Sequence, residues 1–234
     1  MRAPAIKTRA FLSQLALFQE ANDEELDRLA AGTTELRLPK GQMLFQRGDP
    51  CVGLHAVVYG QVKLAFVSPQ GSEKVVDIVG PGTSFGEALM FTDRPYVVYA
   101  QTLVDSMLLH VSREAIDAEI ARDPKLARRM IAGLSQRLHG LVQDVEAYSL
   151  RSGIQRVIGY LLRDIDERTE SAAGSPEKLT IELEVNKGVI ASRLNLTPEH
   201  FSRVLAELVH EDLIAVNGAQ IVILDPSRIR AFLR

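Results

Sequence analysis

A single cysteine, Cys51, stands in a chain of 234 residues. The chain can therefore form no internal disulfide and cannot supply four thiolates to an iron–sulfur cluster. A reducing compartment fits this usage. Positive charge is not in excess either: 27 Lys and Arg face 30 Asp and Glu, a formal net charge of −3. Without a global attraction for phosphate, any nucleic-acid reading must rest on where the cations sit. Long apolar runs are absent too, and no stretch approaches the ~18 residues of a membrane span. The segment MRAPAIKTRAFLSQLALF interleaves basic and apolar positions at helical spacing, with no small-residue cleavage site after it. The expectation is a soluble cytoplasmic protein with no membrane partner. HExxH, GxSxG, the P-loop and paired metal-ligand spacings do not occur, so no enzymatic activity is expected.

What is there suffices for a real core: 46% of residues are apolar and 24% charged, enough for one large or two modest domains. From Thr33 to Val111 glycines and prolines punctuate short β-prone runs such as QMLFQ, LHAVVY, QVKLAFV and EKVVDIV. Such spacing leaves room for strands and turns only, and predicts an antiparallel barrel or roll of about eight strands. Ahead of it, Ala10–Phe18 and Asp23–Ala31 read as short helices, the second capped by Asn22. After Asp123-Pro124, Leu126, Met130, Leu134, Leu138, Leu141, Val145 and Tyr148 recur at steps of four and three. They form one stripe on a helix of about 26 residues, roughly 39 Å long. That spare length favours a homodimer seam through all seven residues, the alternative being that the stripe packs on the roll.

Beyond Gly153 the pattern is helical again. Ile154–Thr169 is amphipathic, SAAGSPE reads as a flexible loop, and LTIELEV alternates as a strand does. Two short helices follow, then IAVNGAQIVIL, in which Asn217-Gly218 signals a type I′ hairpin. Helices followed by a hairpin make a winged helix.

The chemistry concentrates in TPEHFSRVL, residues 197–205. With Glu199 at the origin of a helical wheel, Ser202 falls at about 300° and Arg203 at about 40°. Phe201, Val204, Leu205 and Leu208 occupy roughly 140° to 240°. The apolar face can dock on Lys187–Leu194, Thr197 caps the second helix, and Pro198 takes its first position. This is a helix-turn-helix. Arg203 can fork onto guanine, Glu199 can accept from cytosine N4, and Ser202 can contact a neighbouring base. Thr197 with the free N–H groups of the helix start can hold a phosphate, Lys187 and Arg193 are backbone clamps, and His200 lies on the flank. A bare i,i+4 ion pair between Glu199 and Arg203 is the competing account.

Three stretches, in this order, carry a resemblance: LPKGQMLFQRGDPCVGLHAVVYGQVKL, SFGEALMF and ASRLNLTPEHFSRVLAELVHEDLI. Nearly the whole chain resembles the Crp/Fnr family of bacterial transcription regulators. The resemblance implies an α+β fold: an antiparallel β-roll like a cyclic-nucleotide-binding jelly roll, a long dimerisation helix and a winged helix-turn-helix. It places the roll and its preceding helices in 1–122 as a sensor, the dimer helix in 123–150 and the DNA-binding domain in 151–234. Glu199, Ser202 and Arg203 match the Glu-x-x-Ser-Arg pattern of the Fnr branch. The implied partners are palindromic double-stranded DNA with TTGAT-like half-sites, a second copy of the chain, and RNA polymerase.

The effector is less legible. Gly86-Glu87 matches the ribose-holding pair of the family's cyclic-nucleotide binders, but Arg94 is followed by Pro95 and Tyr96 where small polar residues would back a phosphate. Cyclic nucleotide is therefore disfavoured. EALMF, AQTL, LSQRLHGLV and FSR resemble the Dnr-like branch, whose members respond to nitric oxide and are thought to use haem. The axial-ligand candidates are His55, His110, His139, Cys51 or a methionine, with no assignment among them. His210 reads as a partner of its helix's C-terminal dipole.

Overall fold

The computed structural model describes residues 8–169, 179–183 and 185–233. The loop SAAGSPE and position 184 of the LTIELEV run lie outside them. The chain forms two compact units, 1–141 and 142–234.

In the first unit, α1 (Thr8–Leu12) is shorter than the helix expected over 10–18. Past Leu12 the backbone tightens: Leu15 N–H bonds the Leu12 carbonyl at 3.1 Å and Phe18 N–H that of Leu15 at 2.8 Å. These i→i−3 turns put Leu12, Leu15, Leu17 and Phe18 all into the core. α2 (Asp23–Ala31) opens with a full capping box. Asn22 Oδ1 accepts from Glu25 N at 2.9 Å, and Glu25 Oε2 accepts from Asn22 N at 2.8 Å.

Eight strands follow: β1 (Thr33–Leu38), β2 (Met43–Phe45), β3 (Gly53–Tyr59), β4 (Val62–Val67), β5 (Glu73–Val79), β6 (Ser84–Phe85), β7 (Tyr99–Thr102) and β8 (Ser106–Ser112). They pair antiparallel in two sheets, ordered β1-β8-β3-β6 and β2-β7-β4-β5, as expected for the roll. β3 and β8 run through the middle of the first sheet and are buried on both faces, so they read as apolar runs rather than alternating strands. One face sends Leu54, Ala56, Leu109 and Val111 into a cluster with Leu12, Phe18, Leu29 and Ile116. The other sends Val57 and Leu108 into the roll interior with Phe45, Val62, Phe85 and Tyr96.

Two helices escape the sequence pattern. α3 (Glu87–Met90) is a single turn. α4 (Arg113–Arg122) carries only Ile116 fully into the apolar core. Its other buried residue is Glu119, which accepts a forked bond from Arg28 of α2 at 2.7 and 2.9 Å.

α5 (Lys125–Leu150) has the expected length, 26 residues, and Asp123 Oδ1 accepts from the Lys125 N–H at 2.9 Å. Its stripe is not uniform, which corrects the seven-residue seam. Leu126 and Met130 belong to the protomer's own core beside Leu12, Leu17 and Phe18. Leu134 is half-buried, and the Leu17 methyl comes within 3.0 Å of where a β-carbon on Gly133 would stand. Beyond this point Leu138, Leu141, Val142 and Val145 are exposed, as is Ile131. The side chain of Tyr148 lies outside the described residues. Packing on the protomer's own core thus accounts for the first stretch, while the same period continues onto an exposed apolar face in the second.

The second unit contains α6 (Gly153–Thr169), β9 (Leu179–Glu182), α7 (Lys187–Arg193), α8 (Pro198–His210), β10 (Ile214–Asn217), β11 (Gln220–Ile223) and α9 (Pro226–Ala231). The strands form an antiparallel sheet ordered β10-β11-β9. Asn217 pairs with Gln220, so the hairpin turn is Gly218-Ala219. Gly218 has φ +63° and Ala219 does not share it, the type II′ pattern rather than the expected I′. Ile158, Leu161, Ile190, Phe201, Leu208, Leu213, Ile221 and Ile229 fill the core between helices and sheet.

Candidate nucleic-acid interface

α7 and α8 are set by their own ends. Asn186 caps α7, its Oδ1 accepting from Val189 N at 2.9 Å. The helix closes when Leu194 N bonds the Ile190 carbonyl at 2.9 Å, and Asn195 then turns the chain with φ +57°. Asparagine tolerates this left-handed geometry better than most residues. Leu194 and Leu196 on either side of it are buried. Thr197 caps α8, Oγ1 accepting from His200 N at 3.2 Å, and Pro198 sits in the first turn.

From these ends the face of α8 follows. Phe201, Val204, Leu205 and Leu208 are buried, each worth roughly 1.5 to 3 kcal/mol of apolar transfer. Glu199, Ser202 and Arg203 are exposed together on the opposite side, as the helical wheel expects. Among the described residues no ion pair joins Glu199 to Arg203, so the acid and the base remain available to outside partners. Thr197 is exposed at the helix start. Lys187 and Arg193, at the two ends of α7, are half-buried.

His200 is exposed. Its ring lies against the first residue of α6: a β-carbon on Gly153 would fall 2.9 Å from both Cε1 and Nε2. The imidazole thus stands on the flank of the reading face, beside the start of α6. Sequence reasoning also missed Arg156. Its Nη1 donates to the Leu194 carbonyl at 2.8 Å and the Asn195 carbonyl at 3.1 Å, within the turn itself. Nothing local in the sequence could link residues so far apart.

The roll residues are arranged differently. Gly86, with φ +100°, precedes α3, and Glu87 is buried and accepts from the Ser84 hydroxyl. Arg94 is exposed and, among the described residues, has no ion-pair partner. Two residues later Tyr96 turns inward, stacked on Phe45 at 3.5 Å between ring centres. Its N–H bonds the Asp49 carbonyl at 2.9 Å, and its carbonyl accepts from Gly48 N at 2.8 Å. Burial, with Cys51 beside it, pushes the Tyr96 hydroxyl up from its ordinary range. Aromatic bulk thus stands after Arg94, where the family resemblance expects small polar donors for a cyclic phosphate.

His55 and His110 are cross-strand partners with ring centres 4.7 Å apart. His55 is 6% exposed and stacks on Phe85, with Phe45 on its flank. Burial, with His110 adding a smaller effect, pushes its pKa down to about 3. His110 is lowered by burial as well. A haem macrocycle does not fit at His55, whose ring is packed against Phe85 and Phe45. Cys51 Sγ is engaged with the carbonyls of Gly53 and Gly86 at 3.5 and 3.4 Å. Among the described residues no group of three or more His, Cys, Asp or Glu side chains could hold a metal ion. Nor is any described helix long and apolar enough to cross a membrane.

Two family models match this architecture, a cyclic nucleotide-binding domain over residues 35–123 and a Crp-like helix-turn-helix domain over 155–232. The solved structure of DNR from Pseudomonas aeruginosa is 32% identical, covering 98% of this chain and 99% of that one, with a TM-score of 0.53. The Fumarate and nitrate reduction regulatory protein of Vibrio cholerae is 28% identical over 92% of this chain and 84% of its own. The CRP-like cAMP-activated global transcriptional regulator of Mycobacterium tuberculosis is 24% identical over 93% of this chain and 96% of its own. Roll, long helix, and a capped helix-turn-helix with its polar trio outward agree with these matches, and the chain belongs to the Crp/Fnr family of DNA-binding transcription regulators.

Proposed function

We propose that the protein acts as an effector-switched homodimer whose two α8 helices read TTGAT-like half-sites of a palindromic operator. The observation that carries this reading is the joint exposure of Glu199, Ser202 and Arg203 on one face of α8, with acid and base unpaired. A forked guanidinium on guanine discriminates by about 1 to 3 kcal/mol. Two symmetric helices about one DNA turn apart, roughly 34 Å, double that reading. The exposed apolar residues Leu138, Leu141, Val142 and Val145 support α5 as the dimer seam.

In this reading effector binding in the roll shifts α5 against its twin and so reorients the α8 pair. A switch from 1:99 to 99:1 needs an effector that favours one arrangement by about 5.5 kcal/mol. A haem reading of the effector sets aside the buried His55 and keeps His110, His139, Cys51 or a methionine as its candidate ligands. Haem would there supply iron as a receptor for nitric oxide. A cAMP reading would use Glu87 and Arg94, and has the M. tuberculosis regulator as its precedent.

The test is a gel shift of purified protein on paired TTGAT DNA and on scrambled DNA, run apo, with haem and nitric oxide, and with cAMP. Selective retention of the TTGAT duplex in one arm supports the half-site assignment and identifies the effector. Equal retention of both duplexes in all arms overturns it.

A further inference from the structure

The reading face of α8 depends on the turn that precedes it, and that turn is gripped from α6. α6 starts behind a capping box in which Ser152 Oγ accepts from Gln155 N at 3.3 Å and Gln155 Oε1 from Ser152 N at 3.0 Å. One turn into the helix, the half-buried Arg156 sends Nη1 to two successive carbonyls, Leu194 at 2.8 Å and Asn195 at 3.1 Å. Both belong to the stretch where α7 has ended and α8 has not begun, so they have no intrahelical donor. Asn195 between them holds the left-handed conformation, which asparagine tolerates better than most residues. A charge-assisted bond to each carbonyl adds to what holds it there. A second contact limits the same element, for the Gly153 backbone stands against the His200 ring and the Leu196 methyl.

We infer that Arg156 is a positioning residue for base reading: by bonding the Leu194 and Asn195 carbonyls it fixes the angle at which Glu199, Ser202 and Arg203 enter the groove. This rests on the assignment of that trio to base contacts. Forked hydrogen bonds to base edges tolerate errors of only about 0.5 Å and 10–20°. A loosened turn therefore weakens the specific complex, while phosphate contacts, which are long-ranged and forgiving, persist.

The alternative role for a cation at this place is a phosphate clamp, and salt separates the two. The operator is the duplex that the wild-type protein itself selects from a random pool, so the test does not depend on the TTGAT assignment. Operator and random DNA affinities are measured across a salt series for Arg156→Ala and Arg156→Lys. The expected result for Arg156→Ala is an operator-to-random ratio about tenfold lower, equivalent to about 1.4 kcal/mol, with an unchanged salt slope. Arg156→Lys, whose ammonium can donate to both carbonyls, restores most of the ratio. Should Arg156→Ala not fold, Arg156→Gln keeps the stem and removes the charge, and is read in the same way. Parallel losses on operator and random DNA with the slope shallower by about one overturn the inference in favour of a phosphate clamp. An unchanged ratio overturns it outright.

Discussion

Glu199 and Arg203 stand one helical turn apart on α8, both exposed, and do not pair with each other. An i,i+4 pair of this kind would stabilise the helix by only about 0.2 to 0.5 kcal/mol. The guanidinium gains more from a guanine edge. Arg203→Ala is expected to cost about 1 to 3 kcal/mol on the operator and to relax selectivity at one base pair. Lys187→Ala should instead weaken all duplexes alike and lower the salt slope by about one. Fluorescence anisotropy on single-base operator variants checks both, and equal losses for Arg203→Ala on operator and random DNA would remove its assigned role.

The two ends of α5 answer to different measurements. Leu126→Ala empties part of a buried cluster and should lower protomer stability by about 2 to 5 kcal/mol. Leu138→Glu and Val145→Glu alter residues that are 63% exposed within the protomer. They should leave the fold intact and shift sedimentation from dimer to monomer. A dimer that survives both substitutions would place the seam elsewhere.

Acid sensitivity follows from His55. Its folded pKa, about 3, lies below the unfolded value near 6.5, so the unfolded chain binds the extra proton. The contribution is complete above about pH 6.5 and is lost as the pH falls toward 3, at about 1.4 kcal/mol per unit. His55→Phe, which keeps an aromatic ring against Phe85 and Phe45, should flatten the fall of the urea midpoint between pH 6 and 4. An unchanged slope would point to other groups, His110 first among them.

Arg28 and Glu119 join α2 to α4. Arg28→Ala leaves a carboxylate that is 3% exposed with only the longer pair to Arg122 at 3.8 Å, whereas a paired Arg28→Met, Glu119→Met replacement removes the buried charge altogether. The single variant should melt several degrees lower than the double one. Calorimetry that ranks them the other way would make the pair dispensable.

These contrasts show what a sequence reveals. α8 was legible because its cap, its proline and its apolar face are all local, within three turns of chain. β3 and β8 were legible as strands, though not as strands buried on both sides, since a run of apolar residues reads alike in either case. α4 left almost no trace: its buried acid is satisfied by Arg28, 91 residues earlier. Arg156 was silent for the same reason, its acceptors lying 38 and 39 residues away. The α5 stripe was read correctly in period and incompletely in ownership, because spacing cannot tell a neighbour in the same chain from one in another.

β3 and β8 are the common wall between the aromatic interior of the roll and the leucine-rich chamber that holds Leu126 and Met130. Any guest that spreads Phe45, Phe85 or Tyr96 presses on that partition, and its reverse side bears on the root of α5. A tightly packed wall has little slack to absorb the push. In the proposed switch, the path from the roll interior to the root of α5 is thus no longer than the thickness of one sheet.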